Sequence, residues 1–191
     1  MSYLLGALAF LVQVVFGAIA TLFLVRLLAE ANRADFHNPL SQFVYRYTNP
    51  ALAPIRRVLP NWRRINLAAL FILLITFVVE RTLISVLDGT LLPWLSLLVI
   101  SLADLLRFVL LFYVVVIFGW SLLSMFAPDQ YNPLYRLAST IVQPVLRPLR
   151  GKLVVGSIDF SPTVVIIVLL LAMQLIAAPL FDFGVSLARG G

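Results

Sequence analysis

From Asn38 to Pro60 the chain reads NPLSQFVYRYTNPALAPIRRVLP, and from Asn132 to Arg150 it reads NPLYRLASTIVQPVLRPLR. Laid together without a gap, Asn38-Pro39-Leu40 meets Asn132-Pro133-Leu134, Pro50 meets Pro144, Pro54 meets Pro148 and Arg56 meets Arg150. Helix-starting and helix-breaking residues that agree in register over such a length mark a duplicated unit. Carried outward, the same register pairs the apolar runs on either side of each copy. The chain therefore divides into two units, 1–90 and 91–191, each an apolar helix, a basic proline-rich loop and a second apolar helix.

Apolar residues make up 62% of the 191, and the mean hydropathy is +1.06. A soluble domain holds about half apolar residues, so the composition reads as an integral membrane protein. There is no cysteine, and His37 is the one histidine. That excludes thiolate chemistry, iron–sulfur clusters and zinc sites of the usual cysteine and histidine kind. No cofactor, metal or catalytic residue is expected, and the chain reads as not an enzyme. A net charge of +6 raises nucleic acid as a partner. Basic residues gathered in loops beside apolar spans have the simpler explanation of positive-inside bias, and nucleic acid is set aside.

The first apolar run, Tyr3 to Leu28, exceeds the roughly 20 residues a bilayer core needs. A cleaved signal peptide fits poorly, because the run is too long and basic residues follow it instead of preceding it. Within the first loop Asn38 can cap a helix whose first residue is Pro39, where a missing N–H costs nothing. Leu40, Phe43, Val44 and Tyr47 then share one face, as in a short amphipathic helix lying in the membrane interface. Asn49-Pro50 is expected to end it. The second span is Ile65 to Leu87, and Asp88-Gly89-Thr90 is a turn. The duplication places the third span at Leu97 to Leu122, with Leu91 to Ser96 as an interfacial lead-in, and the fourth at Ile158 to Leu180, closed by Pro179.

Ten of the fourteen Lys and Arg sit in the two loops: Arg33, Arg46, Arg56, Arg57, Arg63 and Arg64 in the first, and Arg136, Arg147, Arg150 and Lys152 in the second. Both loops are thus expected on the cytoplasmic side of an inner membrane, with both termini outside. Two units that begin and end on one side are parallel repeats about an axis along the membrane normal.

The N-P-L starts, the P-x-x-x-P-x-R runs and the segment Ile158-Asp159-Phe160-Ser161-Pro162 give the chain a resemblance to the YggT family of small bacterial and plastid membrane proteins. The resemblance covers nearly the whole chain, as two family units in tandem. The family pattern resembles a loop of this kind followed by D-x-S-P at the start of the next span. Here the first unit has Asn66-Leu67-Ala68-Ala69 in that place, so only the second keeps Asp159, Ser161 and Pro162. What the resemblance implies is a membrane protein with roles in osmotic tolerance, cell-division or nucleoid organisation, or maturation of a photosynthetic cytochrome complex. It implies no reaction.

Ionisable groups inside a span cost about 2.5 to 3.5 kcal/mol each on insertion scales and are seldom kept without a use. The duplication aligns Gln13 with Arg107 and Glu80 with Gln174, and Asp104 lies one turn from Arg107. These five are expected to form a polar cluster in the outer half of the bilayer, with Glu80 or Asp104 as the partner of Arg107. Such a cluster either binds an ion or small solute, or fixes which hairpin lies on which. Arg81 is expected to point away from it and snorkel outward. Asp159 with Ser161 reads as a helix cap or as a ligand site, and Arg56, Arg57 and Arg150 as contacts for anionic lipid head groups. The functional expectation is a non-enzymatic membrane scaffold or assembly factor that meets lipids and other membrane proteins or itself. The alternative is a small channel or transporter-like protein in ion or osmolyte homeostasis.

Overall fold

The computed structural model describes residues 2–126, 131–155 and 158–190. The start of the second basic loop, 127–130, lies outside them. Four helices are long and apolar enough to cross a membrane: Tyr3–Ala31, Leu67–Leu87, Trp94–Met125 and Ser161–Arg189. The elements run α1 (Ser2–Ala31), α2 (Pro39–Arg56), α3 (Leu67–Leu87), α4 (Trp94–Phe126), α5 (Pro133–Leu146), a two-rung ladder of β1 (Val154–Val155) with β2 (Ile158–Asp159), then α6 (Ser161–Ala172), a π-helical turn (Met173–Ala177) and α7 (Ala178–Arg189).

The loop helices start as their sequence directs. Asn38 and Asn132 each sit in extended backbone ahead of a proline and accept the N–H of Leu40 and Leu134 respectively. Asn66 caps α3 in the same way, accepting from Ala69 N–H at 3.1 Å. These caps take up N–H groups that a helix leaves without partners.

Three expectations about helix ends are corrected. α2 does not stop at Asn49-Pro50 but continues through Pro50 and Pro54 to Arg56. Each proline removes one helical N–H, freeing the carbonyls of Arg46 and Pro50. Arg46, Pro50 and Pro54 all lie on the exposed side, where those carbonyls can be solvated, while Leu52 between them is fully buried and holds the turn in place. Residues 91–96 are not all lead-in, since α4 already begins at Trp94. Pro179 does not close the last span. The ladder widens ahead of it, with Ala178 N–H donating to Met173 C=O five residues back, and the helix runs on to Arg189. Such a π-turn lets a helix accommodate a local disruption without breaking.

α3 lies between α1 and α4, and α4 also contacts α6 and α7. Ala20, Phe23 and Leu24 of α1 meet Ala68, Ala69, Leu73 and Phe77 of α3, with Leu52 of α2 and Leu105 of α4 completing this cluster. The alanines let helices come close where lipid gives no hydrophobic drive for association. Ala29 and Ala34 meet Leu137 and Ile141 of α5, so the end of the first span rests on the second loop. Ile117, Val142, Leu146 and Val165 form the remaining core, between α4, α5 and α6. α4 and α7 are in tight contact at Gly184, where an added Cβ would stand 2.6 Å from Ile100 Cγ1 and 3.1 Å from Ile100 N. Ser96 Oγ donates to Gly184 C=O at 2.7 Å across the same contact.

Candidate functional site

The two loops meet. α2 contacts α5, and Asn38 Nδ2 donates to Pro133 C=O at 2.7 Å. Asp35 accepts from Arg136 Nη2 at 2.6 Å, joining the approach to α2 with α5. Asp35 also accepts the His37 backbone N–H at 2.9 Å, and His37 Nδ1 lies 3.1 Å away. The His37 hydrogen bonds, backbone first, hold the Asp35 carboxyl below its usual range, with Arg136 adding to the effect. One end of the helix bundle thus carries a single platform made from both units, with Asn38, Pro39, Asn132 and Pro133 at its centre.

Of the α2 face expected to lie in the membrane interface, Val44 turns into the bundle instead. Ser41, Val44, Thr48 and Leu52 are buried, whereas Phe43 and Tyr47 are more than half exposed and stack on each other at 4.6 Å. The helix contacts the bundle through Ser41, Val44 and Thr48, whose small side chains permit close approach, and through Leu52. Its aromatics look outward, and Arg46 and Arg57 are exposed as well. Of the remaining loop-motif residues, Pro50, Pro54, Pro144 and Pro148 are exposed, Arg56 is half-buried and Arg150 is exposed.

A polar knot that the sequence reading missed sits beneath α2. Arg26, 1% exposed, donates from Nη2 to Glu30 Oε1 at 2.6 Å and to Asn49 Oδ1 at 3.1 Å, and its guanidinium lies 3.4 Å from the Tyr45 ring centroid. Arg56 Nη2 donates to the same Glu30 Oε1 at 2.7 Å, and Asn66 Nδ2 donates to Glu30 Oε2 at 2.6 Å. One carboxylate therefore ties α1, the end of α2 and the cap of α3. Burial raises the Tyr45 phenol above its ordinary pKa, with Arg26 opposing. The available signal was the four-residue spacing of Arg26 and Glu30, which places them on one face where the apolar run ends.

The intramembrane polar residues are brought together in part. Arg81 does not snorkel outward. Its Nε donates to Asp104 Oδ2 at 2.9 Å, and its Nη2 reaches the same oxygen. Asp104, Arg107 and Gln174 line one cleft of about 190 Å³, joined there by Asp182 and by Met173 of the π-turn. Gln13 is exposed on α1 and stays outside it. Glu80 is half-buried, with Oε2 enclosed and unpartnered among the described residues, and no Glu80 to Arg107 ion pair occurs among them. The register of the repeat pairs positions along the chain, but it does not decide which neighbour a side chain meets.

At the start of the last span Asp159 Oδ1 accepts Ser161 N–H at 2.9 Å, while Ser161 Oγ donates to Leu149 C=O at 2.9 Å. Pro162 follows in the first turn, where its missing N–H is harmless. The motif clasps the helix start to the end of the second loop.

The sequence profile of the CCB3/YggT family matches this chain twice, at residues 5–87 and 99–180. An uncharacterised protein of Pseudomonas aeruginosa is 35% identical over 148 residues, covering 73% of this chain and 72% of its own. An uncharacterised protein of Haemophilus influenzae is 32% identical over 155 residues, covering 79% and 81%. The uncharacterised YggT protein of Escherichia coli K12 is 29% identical over 167 residues, covering 86% of each chain. No solved structure matches. With both profile matches spanning most of its length, the chain belongs to the CCB3/YggT family.

Proposed function

We propose that this chain is a non-enzymatic scaffold or assembly factor of the inner membrane, and that the platform built from α2 and α5 is its working surface. The observation that carries the reading is the join between the loops, Asn38 to Pro133 and Asp35 to Arg136, which fixes two separate loops as one surface. That surface presents aromatic and basic side chains together, including Phe43, Tyr47, Arg46 and Arg57. Aromatics and arginines are enriched where proteins bind one another, and basic groups at a membrane surface attract anionic head groups. The largest buried charges are committed to each other in the Glu30 knot, which fits a structural use. With ten of fourteen basic residues in the loops, the platform faces the cytoplasm and the termini lie outside. Its partners are anionic lipids and membrane proteins, a second copy of this chain included.

The test is purification of the full chain in mild detergent, as wild type and with Phe43→Glu and Arg46→Glu together. The reading predicts a stoichiometric membrane-protein partner or self-association that the double substitution removes. A wild-type protein that purifies alone, yet supports ion flux in liposomes, contradicts it.

A further inference from the structure

A cleft of about 440 Å³ opens between the first loop and the second unit, walled by Asp35, Ser41, Trp120, Arg136, Gln143 and Arg150. Its position in the duplication gives it meaning. At the common offset of 94 residues, Arg26 corresponds to Trp120, Asn49 to Gln143 and Arg56 to Arg150, so the cleft is the second unit's counterpart of the Glu30 knot. Glu30 itself corresponds to Ser124. The second unit has kept the arginine and lost the carboxylate that would hold it.

The donors left behind are in place. Trp120 Nε1 is enclosed and has no partner among the described residues, although its ring stacks on Tyr135 with centroids 6.2 Å apart. Ser41, 1% exposed, likewise has an unpartnered Oγ. The Arg150 guanidinium forms no ion pair or hydrogen bond among the described residues, and its field reaches Asp159, which is engaged with Ser161 N–H. The acid in the wall, Asp35, is occupied by Arg136 and His37. Counting Arg136 and Arg150 against Asp35 leaves an excess of one positive charge. A buried donor without an acceptor costs free energy that an incoming anion recovers.

We propose that this cleft binds a phosphate-type oxyanion, which takes the place that the Glu30 carboxylate fills in the first unit. Arg150 supplies charge and Trp120 Nε1–H and Ser41 Oγ–H supply direction. Two sources offer this chemistry: the phosphate of a lipid head group, which the loop end of the spans would meet, and a free phosphate. The site stands independently of the scaffold reading, since it rests on the cleft and its unpartnered donors.

The experiment titrates full-length protein in a neutral detergent with inorganic phosphate in one arm and short-chain phosphatidylglycerol in the other, by calorimetry. Saturable binding is expected in at least one arm, and the responding arm names the source. Arg150→Gln should weaken it about tenfold, as expected for loss of a charged hydrogen bond. Trp120→Phe keeps the ring against Tyr135 and removes only the N–H, and should weaken binding severalfold in a protein of unchanged helicity. Arg147→Gln, a basic residue outside the cleft, should change affinity less than about twofold, as for an exposed charge. Absence of saturable binding in both arms overturns the proposal, as does equal loss in Arg147→Gln, which would show attraction to basic charge in general. So does full affinity in both cleft variants.

Discussion

Arg81 on α3 and Asp104 on α4 meet one helical turn beyond the contact of Phe77 with Phe108, whose ring centroids are 5.4 Å apart. α3 and α4 run antiparallel, so four residues forward from Phe77 and four back from Phe108 lead to the same level. The ion pair continues the seam that the aromatic pair begins. Arg81→Gln and Asp104→Asn should therefore be non-additive in detergent unfolding, with a coupling of about 1 to 3 kcal/mol. Glu80→Gln with Arg107→Gln should add to within about 0.5 kcal/mol, because the two are not partners. The opposite assignment of coupling would mean that α3 is rotated from the position described.

Glu30 is the acceptor for Arg26, Arg56 and Asn66 together. Its removal leaves the buried Arg26 charge uncompensated, so Glu30→Ala should destabilise by about 3 to 5 kcal/mol. Arg56, whose side chain is 31% exposed, can turn to solvent. Arg56→Gln should cost no more than about 1 kcal/mol. Thermal unfolding of both variants checks the order, and equal losses would show that Arg26 is held by something other than Glu30.

Gly184 has no room for a side chain, because Ile100 occupies the space in which a Cβ would stand. Gly184→Ala must push α7 away from α4 and lengthen the hydrogen bond from Ser96. Overpacking of this kind costs about 1 to 3 kcal/mol. Gly119→Ala, with nothing near its missing Cβ, is the control and should be neutral or slightly stabilising. A Gly184→Ala protein as stable as the control would place the α4 and α7 seam elsewhere.

The brace between the loops depends on pH. His37 and Arg136 hold the Asp35 carboxyl below its unfolded value, so its contribution is complete above the ordinary carboxylate pKa of about 3.9 and is lost as pH falls through the lower folded value. The unfolding temperature should fall less between about pH 4 and 3 in Asp35→Asn than in wild type. Identical slopes would show that the carboxylate does not link the loops.

Much of this fold was legible because its signals are local. An asparagine followed by proline starts a helix wherever the chain places it, so α2 and α5 could be found from Asn38-Pro39 and Asn132-Pro133. A proline inside a helix is another matter. Pro50 and Pro179 read as stops, yet buried Leu52 and the widened turn before Pro179 carry the helices past them. Tertiary contacts outweigh the local break. The polar cluster was half legible for a related reason: the repeat paired Gln13 with Arg107 and Glu80 with Gln174, but rotation about each helix decides contact, and Gln13 is exposed outside the cleft. Arg26 and Glu30 were overlooked because the apolar run around them hid a spacing that only a buried partner makes meaningful.

In the orientation we propose, the platform formed by both loops faces the cytoplasm. The chain has no cysteine, so Asp35→Cys with Arg136→Cys makes a clean pair for a membrane-impermeant bis-maleimide. Cross-linking is predicted in inverted membrane vesicles and not in intact spheroplasts, whereas Asp88→Cys with Arg136→Cys, at opposite ends of the bundle, should not cross-link in either. A 35–136 cross-link formed only from outside, or in neither preparation, would contradict the account.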